Sequence, residues 1–316
     1  MGAASSQEGS EAEALEALGQ MLPASPRGQT WFGDDAASVA PPAQGSQLLV
    51  ALDTVVGGLD ADLSLTTLAD LGWKALAVNL SDIAAMGGAP SCAVVGVVGL
   101  TTEALRDLYA GLLLASARYA CPVVGGDLSG GKEVVVTVAV NGWVEGRPVL
   151  RSGARPRDAI WVTKPLGAAA AGLRCLRELA VTGRGPSPVE RALVAAHARP
   201  EPALPEGATA RKLGATAMID VSDGFSLDLS RLASSSGVGF ELSRVPVAPG
   251  ATLEDALGGG EDFALVFTLP PGVDAVAAFE AEGLPAPFLL GSCMADPGRR
   301  RLKGEDLIAR GWLHSL

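Results

Sequence analysis

The strongest constraint on the fold is an apolar stretch, residues 73–90, which carries three polar side chains, Asn79, Ser81 and Asp82. Apolar side chains recur there every three or four residues, which predicts one largely buried helix. A carboxylate buried in such a helix is costly unless it is paired, hydrogen-bonded or bound to a metal. We therefore expect Asp82 to be a buried anchor. Lys74 lies about two helical turns before it and is expected to be a solvated or snorkelling charge.

Composition limits the classes of protein to which the chain can belong. Its 316 residues suffice for one large or two medium domains, and 48% are hydrophobic, which is typical of a folded globular protein. The net charge of −11 argues against a partner such as nucleic acid or an anionic membrane surface. No apolar run reaches the ~18 uninterrupted residues that a membrane helix needs.

The cysteine pattern and the N-terminal sequence indicate a cytoplasmic protein. The four cysteines are far apart and form no CxxC pair, so we expect reduced thiols rather than a disulfide framework or a zinc site. The acidic start lacks the basic and apolar regions of a secretory signal.

Strand-like and helical patterns mix in both halves of the chain, which predicts an α/β protein of two α+β domains. Residues 1–30 are expected to be a flexible segment with one short helix at 11–18. The stretch 146–158 is basic and rich in Pro and Gly, so we place a domain boundary near residue 150. The predicted domains are therefore 31–150 and 151–316.

Six aspartates lie at predicted strand ends or in Gly-rich turns. Alone, each has an ordinary explanation, because Asp is common in turns and as the first cap of a helix. Together they suggest hard cations, which prefer oxygen ligands. Since Mg²⁺ takes one or two carboxylates, a set spread over both halves suggests several Mg²⁺ ions that bridge a polyphosphate. The six are Asp35, Asp53, Asp82, Asp127, Asp220 and Asp223.

Two further features bear on the chemistry. The Gly-rich stretch 125–131 is predicted to be a loop that either approaches phosphate closely or forms a plain tight turn, and it matches neither the P-loop nor the dinucleotide-binding pattern. His197 and His314 are the only histidines, which argues against Ser-His-Asp or Cys-His catalysis.

Several motifs occur in a specific order along nearly the whole chain. They are KALAVNLSDIAAMGG at 74–88, VGGD at 124–127, SGARPRDAIWVT at 152–163, MIDVSDGF at 218–225, GGEDF at 259–263 and the pair Gly311-Trp312. In this order they resemble the thiamine-monophosphate kinase family, which belongs to the aminoimidazole-ribotide synthetase (PurM-like) superfamily.

The resemblance implies a fold and an activity. The N-terminal α/β domain would pair its strands across a homodimer into a barrel, with ATP in the cleft beside an α+β C-terminal domain. The reaction would be ATP-dependent phosphorylation of thiamine phosphate to thiamine diphosphate (EC 2.7.4.16), by direct in-line transfer with several Mg²⁺ ions. No catalytic general base is expected, because a phosphate monoester is largely dianionic at pH 7.

The resemblance also implies roles for individual residues. The six aspartates would be the Mg²⁺ ligands, with Asp127 also contacting the nucleotide. The other ATP contacts would be Tyr109, Gly126, Arg151 and Ser222. The thiamine moiety would contact Glu261 and Trp312, and Asp60 stands where the family has a substrate-binding His.

The chain departs from the family pattern on the side that would bind the substrate phosphate. Ala51, Leu52 and Leu128 replace hydroxyl residues, and Asp60 places an anion where a cation is usual. A degenerate, non-catalytic nucleotide- and metal-binding homologue, or a superfamily enzyme with an altered substrate, is therefore the alternative. Selenophosphate synthetase and the carbamoyl-handling hydrogenase-maturation protein are disfavoured, because the cysteines they need near each terminus are absent.

Overall fold

The structure is a computed structural model that describes residues 11–27, 29, 31, 37, 39–41 and 43–313. Helices and strands are mixed along these residues, which confirms the expected mixed α/β class. The helices are α1 (Glu11–Met21), α2 (Leu68–Ala85), α3 (Thr102–Arg118), α4 (Ala168–Thr182), α5 (Pro188–Ala198), α6 (Leu204–Lys212), α7 (Phe225–Ser236), α8 (Leu253–Gly258) and α9 (Ala275–Ala281). The strands are β1 (Ser46–Val56), β2 (Ala89–Val98), β3 (Val123–Ser129), β4 (Val135–Glu145), β5 (Ala159–Val162), β6 (Ala217–Asp220), β7 (Gly239–Leu242), β8 (Leu265–Leu269), β9 (Phe288–Met294), β10 (Arg300–Leu302) and β11 (Glu305–Asp306).

The strands form two sheets. The first has the order β1-β4-β2-β3, with β2 and β3 parallel. The second has the order β11-β10-β7-β9-β5-β8-β6, and β5 is antiparallel to both its neighbours, β8 and β9.

The chain divides into two compact units. The first unit consists of Met1–Ala43, Val50–Asn79 and Pro90–Asn141, as far as these residues are described. The second unit consists of Gln44–Leu49, Leu80–Ala89 and the described part of Gly142–Leu316. Two short early segments thus group with the second unit, which a single boundary near residue 150 does not capture. That boundary stays a prediction.

In the second unit, apolar layers cover both faces of the larger sheet. Ile160 on β5 packs with Phe225 and Leu229 of α7 on one face. Its neighbour Trp161 packs on the other face in a cluster with Phe279 of α9. Because both faces are covered, β8 is buried at every position, which agrees with a sequence that is apolar except for Thr268.

Several elements follow directly from local sequence. The sequence predicts strands at 159–162, 217–220 and 239–242, which are the bounds of β5, β6 and β7. It also predicts a helix start from a capping box at 187–190, and α5 begins there, with Ser187 and Glu190 each accepting from the other's backbone N–H group. Within the N-terminal segment expected to be flexible, residues 11–21 form α1, whose Leu18 is buried. None of the described helices combines the length and the apolar character that spanning a membrane requires.

The predicted Gly-rich loop is wrong over most of its length, because β3 continues through Ser129. Gly126 pairs with Val95 of the parallel strand β2, and a Cβ on Gly126 would lie 2.0 Å from the Val95 carbonyl oxygen. The glycine is therefore required for close strand packing. The elements α8, β9, β10 and β11 were not predicted, since each is short or lacks a clear period.

Candidate functional site

The predicted site residues fall into both units. Asp35 lies outside the described residues. The first unit contains Asp53, Asp60, Tyr109, Gly126 and Asp127. The second unit contains Asp82, Arg151, Asp220, Ser222, Asp223, Glu261 and Trp312.

The polar face of α2 is connected to the end of β6 through a serine. Ser81 is fully buried, and its hydroxyl donates a 2.7 Å hydrogen bond to the carboxylate of Asp220, which is itself 3% exposed. Asp82 is only partly buried, so the expectation of a buried Asp82 anchor is wrong, and the fully buried group is its neighbour. Lys74 is 3% exposed, so its expected solvation is also wrong, because its side chain lies on the packed face of α2.

The turn after β6 is stabilised by a carboxylate and an arginine of α7. Asp228 accepts hydrogen bonds from the backbone N–H groups of Asp223 (3.0 Å) and Gly224 (3.1 Å). Arg231 Nη1 lies 2.5 Å from Asp223 Oδ2 and 2.7 Å from Asp228 Oδ1. Burial raises the pKa of Asp228 to about 6, and the nearby charges of Asp220 and Asp223 add to the shift.

The Gly-Gly-Glu-Asp loop packs directly on this turn. The N–H of Glu261 donates to the carbonyl of Ser222 (2.7 Å), and the N–H of Phe263 donates to the carbonyl of Val221 (2.9 Å). Glu261 and Phe263 both have positive φ, 56° and 46°, which is uncommon for residues with a side chain. Such strain persists only where the surrounding structure fixes it, and it is concentrated at functional sites.

Asp262 of the same loop, which is not among the predicted site residues, has a structural role. Its carboxylate accepts from the N–H groups of Gly167 (2.6 Å) and Ala169 (3.3 Å) at the start of α4. Burial raises the pKa of Asp262, and these N–H donors oppose the shift. Asp262 therefore caps a helix that lies far from it in the sequence.

The C-terminal segment reaches the same turn. The N–H of Trp312 donates to the Asp223 carbonyl (2.8 Å), and the Ser226 hydroxyl donates to the Arg310 carbonyl (3.0 Å). Ser222, Asp223, Glu261 and Trp312, which are predicted from three separate motifs, therefore come together around one turn.

Arg151 does not join this group. The hydroxyl of Ser236, the last residue of α7, donates to the Arg151 carbonyl (3.2 Å). The turn at Asp223 precedes the first residue of α7, and a helix of 12 residues is about 18 Å long. The Arg151 backbone thus lies at the opposite end of α7, and its side chain is exposed.

In the first unit, Asp53 and Asp127 are exposed on opposite edge strands of the smaller sheet, β1 and β3. Three strand spacings separate them, which amounts to ~14 Å along the sheet. One ion cannot take both as ligands, so the pair agrees with the expectation of more than one cation.

Asp60 and Tyr109 are both placed by local structure. One carboxylate oxygen of Asp60 accepts from the Val56 N–H (2.9 Å) and closes the turn after β1. Tyr109 is 3% exposed on the packed face of α3, which leaves little of its side chain for a ligand, and burial raises its pKa to about 12. The ATP contact of Tyr109 stays a prediction.

The donors fit Mg²⁺ in chemistry, because carboxylate oxygens are its preferred protein ligands. Within the described ranges no three His, Cys, Asp or Glu side chains converge on one point, so the structure offers carboxylates singly or in pairs. One or two carboxylates are what Mg²⁺ takes when water and phosphate fill its other positions.

All four cysteines are free, as expected.

The fold and the site together define a class of protein. The model of the family described as AIR synthase related protein, N-terminal domain, matches residues 33–144. This chain is 34% identical over 277 residues to the thiamine-monophosphate kinase of Rhodopirellula baltica, covering 80% of each chain. It is 38% identical over 252 residues to that of Bacillus subtilis, covering 75% of this chain and 77% of the relative.

A solved structure has the same fold. The complex of AaThiL with AMPPCP and TMP matches with a TM-score of 0.77 at 30% identity, covering 87% of this chain and 89% of that one. The chain therefore belongs to the thiamine-monophosphate kinase family. The family, its PurM-like α+β fold and the kinase class expected from the motifs are confirmed.

Sequence reasoning missed four residues that shape the site. Ser81 was noticed only as part of a polar tripeptide, although a buried serine beside a motif aspartate is a signal that could have been used. Asp228 and Arg231 follow Asp223 by five and eight residues, where the first and second turns of α7 bring their side chains back to it. Asp262 could not have been found, because its partners are backbone groups 95 and 93 residues away.

Proposed function

We propose that this protein phosphorylates thiamine phosphate to thiamine diphosphate with ATP, by direct in-line transfer, as expected from its family. The observation that carries the proposal is the convergence of Ser222, Asp223, Glu261 and Trp312 on one turn. These residues come from three motifs shared with the kinase family, and their convergence supports one ligand site in the second unit.

The acceptor chemistry suits the residues present. A phosphate monoester has a second pKa near 6 and is largely dianionic at pH 7, so it attacks without a general base. The reaction instead needs charge neutralisation and correct placement of two anions. A chain with several aspartates at predicted strand ends and turns and only two histidines is consistent with that requirement.

We propose that several Mg²⁺ ions are bound by the aspartates, with Asp53 and Asp127 in one unit and Asp82, Asp220 and Asp223 in the other. Bound ions would supply the positive charge that offsets the phosphates. The hydrogen bond from Ser81 orients the Asp220 carboxylate, and Arg231 orients that of Asp223. Asp35 would complete the set by resemblance.

For the ligands themselves, we retain the roles implied by the family. ATP would contact Tyr109, Gly126, Asp127, Arg151 and Ser222. In support of nucleotide binding, the similar AaThiL structure contains AMPPCP and TMP.

On the substrate side, Trp312 is 51% exposed and offers an aromatic face to the cationic thiazolium, with Glu261 as counter-charge. Asp60 would lie near the substrate phosphate. The Val56 N–H donates to one oxygen of its carboxylate, which fixes the turn but leaves the negative charge of Asp60 in place.

We further propose that the protein is a cytoplasmic homodimer that pairs through β1. This strand is an edge of its sheet and exposes Leu48, Val50 and Leu52 by 59%, 67% and 62% on one face. An edge of 11 residues with such a face is a template for pairing with another chain.

The decisive experiment incubates the purified protein with ATP, Mg²⁺ and thiamine phosphate and measures thiamine diphosphate, with thiamine as a control acceptor. We expect product from thiamine phosphate only. ATP binding without any thiamine diphosphate would establish the non-catalytic alternative instead.

A paired substitution tests the metal-ligand set. Asp82→Asn should abolish turnover and leave the fold and the oligomeric state unchanged, whereas Asp107→Asn on the exposed face of α3 should keep full activity. Full activity of Asp82→Asn would remove Asp82 from the set.

A further inference from the structure

We propose that His197 is a positioning residue that holds the carboxylate of Glu261 in place for the thiamine moiety, an inference that rests on the proposed function. His197 Nδ1 lies 3.2 Å from Glu261 Oε2. Both residues belong to the second unit, and no motif of the sequence connects them.

The imidazole is held by helix packing. His197 is 6% exposed near the end of α5, which packs against α4. A Cβ on Gly172 of α4 would lie 2.1 Å from the Leu193 carbonyl oxygen and 3.0 Å from His197 Cβ. The two helices are therefore in close contact where the histidine sits, which fixes the position of its Cα and Cβ.

The carboxylate is held at its backbone end by the loop. Glu261 has a φ of 56°, and its N–H donates to the Ser222 carbonyl (2.7 Å). Its side chain is 34% exposed, so one part can contact a ligand while Oε2 faces the histidine. A glutamate has three rotatable side-chain bonds, and fixing them before the ligand arrives lowers the entropy lost on binding.

The contact with Glu261 indicates which ring nitrogen of His197 carries a proton. Nδ1 is buried and has no hydrogen-bond partner of good geometry among the described residues. A lone pair on Nδ1 facing a carboxylate oxygen at this distance would be repelled, so Nδ1 carries the proton. A small rotation then gives a hydrogen bond to a charged acceptor, the stronger kind.

Two polar substitutions of similar size separate positioning from packing. His197→Asn keeps an N–H donor near the Nδ1 position, whereas His197→Gln moves the donor to the Nε2 position. We expect His197→Gln to raise the KM for thiamine phosphate about tenfold, the size expected for a lost charged hydrogen bond. The KM for ATP should not change, and His197→Asn should stay within about twofold of wild type. Equal effects of the two variants, or equal changes in both KM values, would overturn the inference.

A double-mutant cycle tests whether His197 acts through Glu261. In a Glu261→Gln background, His197→Gln should change the KM for thiamine phosphate by less than about twofold, because the partner is already altered. If the fold-change in KM of the double variant equals the product of the two single fold-changes, the residues act independently and the proposal is contradicted.

Calorimetric titration with thiamine phosphate separates this inference from the proposed function. If the wild type binds thiamine phosphate but forms no product, the kinase proposal fails, and the same variants still test the positioning role through their dissociation constants. If thiamine phosphate does not bind, both proposals fail.

Discussion

The hydroxyl of Ser81 donates a 2.7 Å hydrogen bond to the carboxylate of Asp220, 139 residues further along the chain. Both residues are almost completely buried. Through this bond the polar face of α2 orients a candidate metal ligand at the end of β6.

We expect Ser81→Ala to lower the free energy of unfolding by about 1–3 kcal/mol, because it leaves a buried carboxylate without that donor. Urea unfolding followed by circular dichroism measures the change. The matched control Ser235→Ala, on the exposed face of α7, should stay within about 0.5 kcal/mol of wild type. A Ser81→Ala protein as stable as that control would show that the bond contributes nothing.

The bridge from Arg231 to Asp223 and Asp228 should also contribute to stability. Arg231→Gln leaves the 1%-exposed Asp228 carboxylate without its cation. Because the arginine is 37% exposed, solvent screening limits the expected loss to about 1–2 kcal/mol. The exposed Arg177→Gln on α4 is the control. If the two variants unfold at the same urea concentration, the bridge has no net effect.

Close strand packing predicts different outcomes for two neighbouring glycines. Gly126→Ala places a methyl group 2.0 Å from the Val95 carbonyl oxygen, whereas Gly130→Ala meets no atom within 4 Å. We expect Gly126→Ala to cost about 1–3 kcal/mol or more and Gly130→Ala to cost little. Thermal unfolding of both variants checks this, and similar melting temperatures would refute the strand assignment at Gly126.

Because Tyr109 is buried, we expect the stability of the protein to decline at alkaline pH. Burial raises its folded pKa to about 12, above the ~10 of an unfolded chain, so the folded state retains the proton longer. The contribution of Tyr109 to the free energy of unfolding is constant below pH ~10. It falls by up to about 3 kcal/mol as the pH rises to about 12. Tyr109→Phe should remove this part of the decline, as seen by urea unfolding at pH 8 and pH 11.5. Parallel declines in both proteins would contradict the burial of the hydroxyl.

The sequence predicted well those features that depend on neighbouring residues. The capping box at Ser187 fixed the start of α5, and the apolar run of β6 fixed its bounds. The six aspartates were selected because they lie at predicted strand ends or in Gly-rich turns, and their metal-binding role stays a prediction. Ser222 and Glu261 were selected from separate motifs, and the structure brings their backbones into a hydrogen bond.

Features that depend on distant partners could not be predicted in this way. The contact between His197 and Glu261, the cap that Asp262 provides and the bond from Ser81 join segments with no shared period or spacing. The stretch around Gly126 was predicted to be a loop because a glycine required for strand packing and one required for phosphate contact have the same sequence signature.

The turn between β6 and α7 has a consequence for the order of folding. Its contacts come from α2, the loop before β8 and the C-terminal segment, so each one closes a long loop of chain. Loop closure of this kind is slow compared with helix formation. During refolding, helical circular dichroism should therefore recover before ligand binding does, and ligand binding would report that the last long-range contacts have formed.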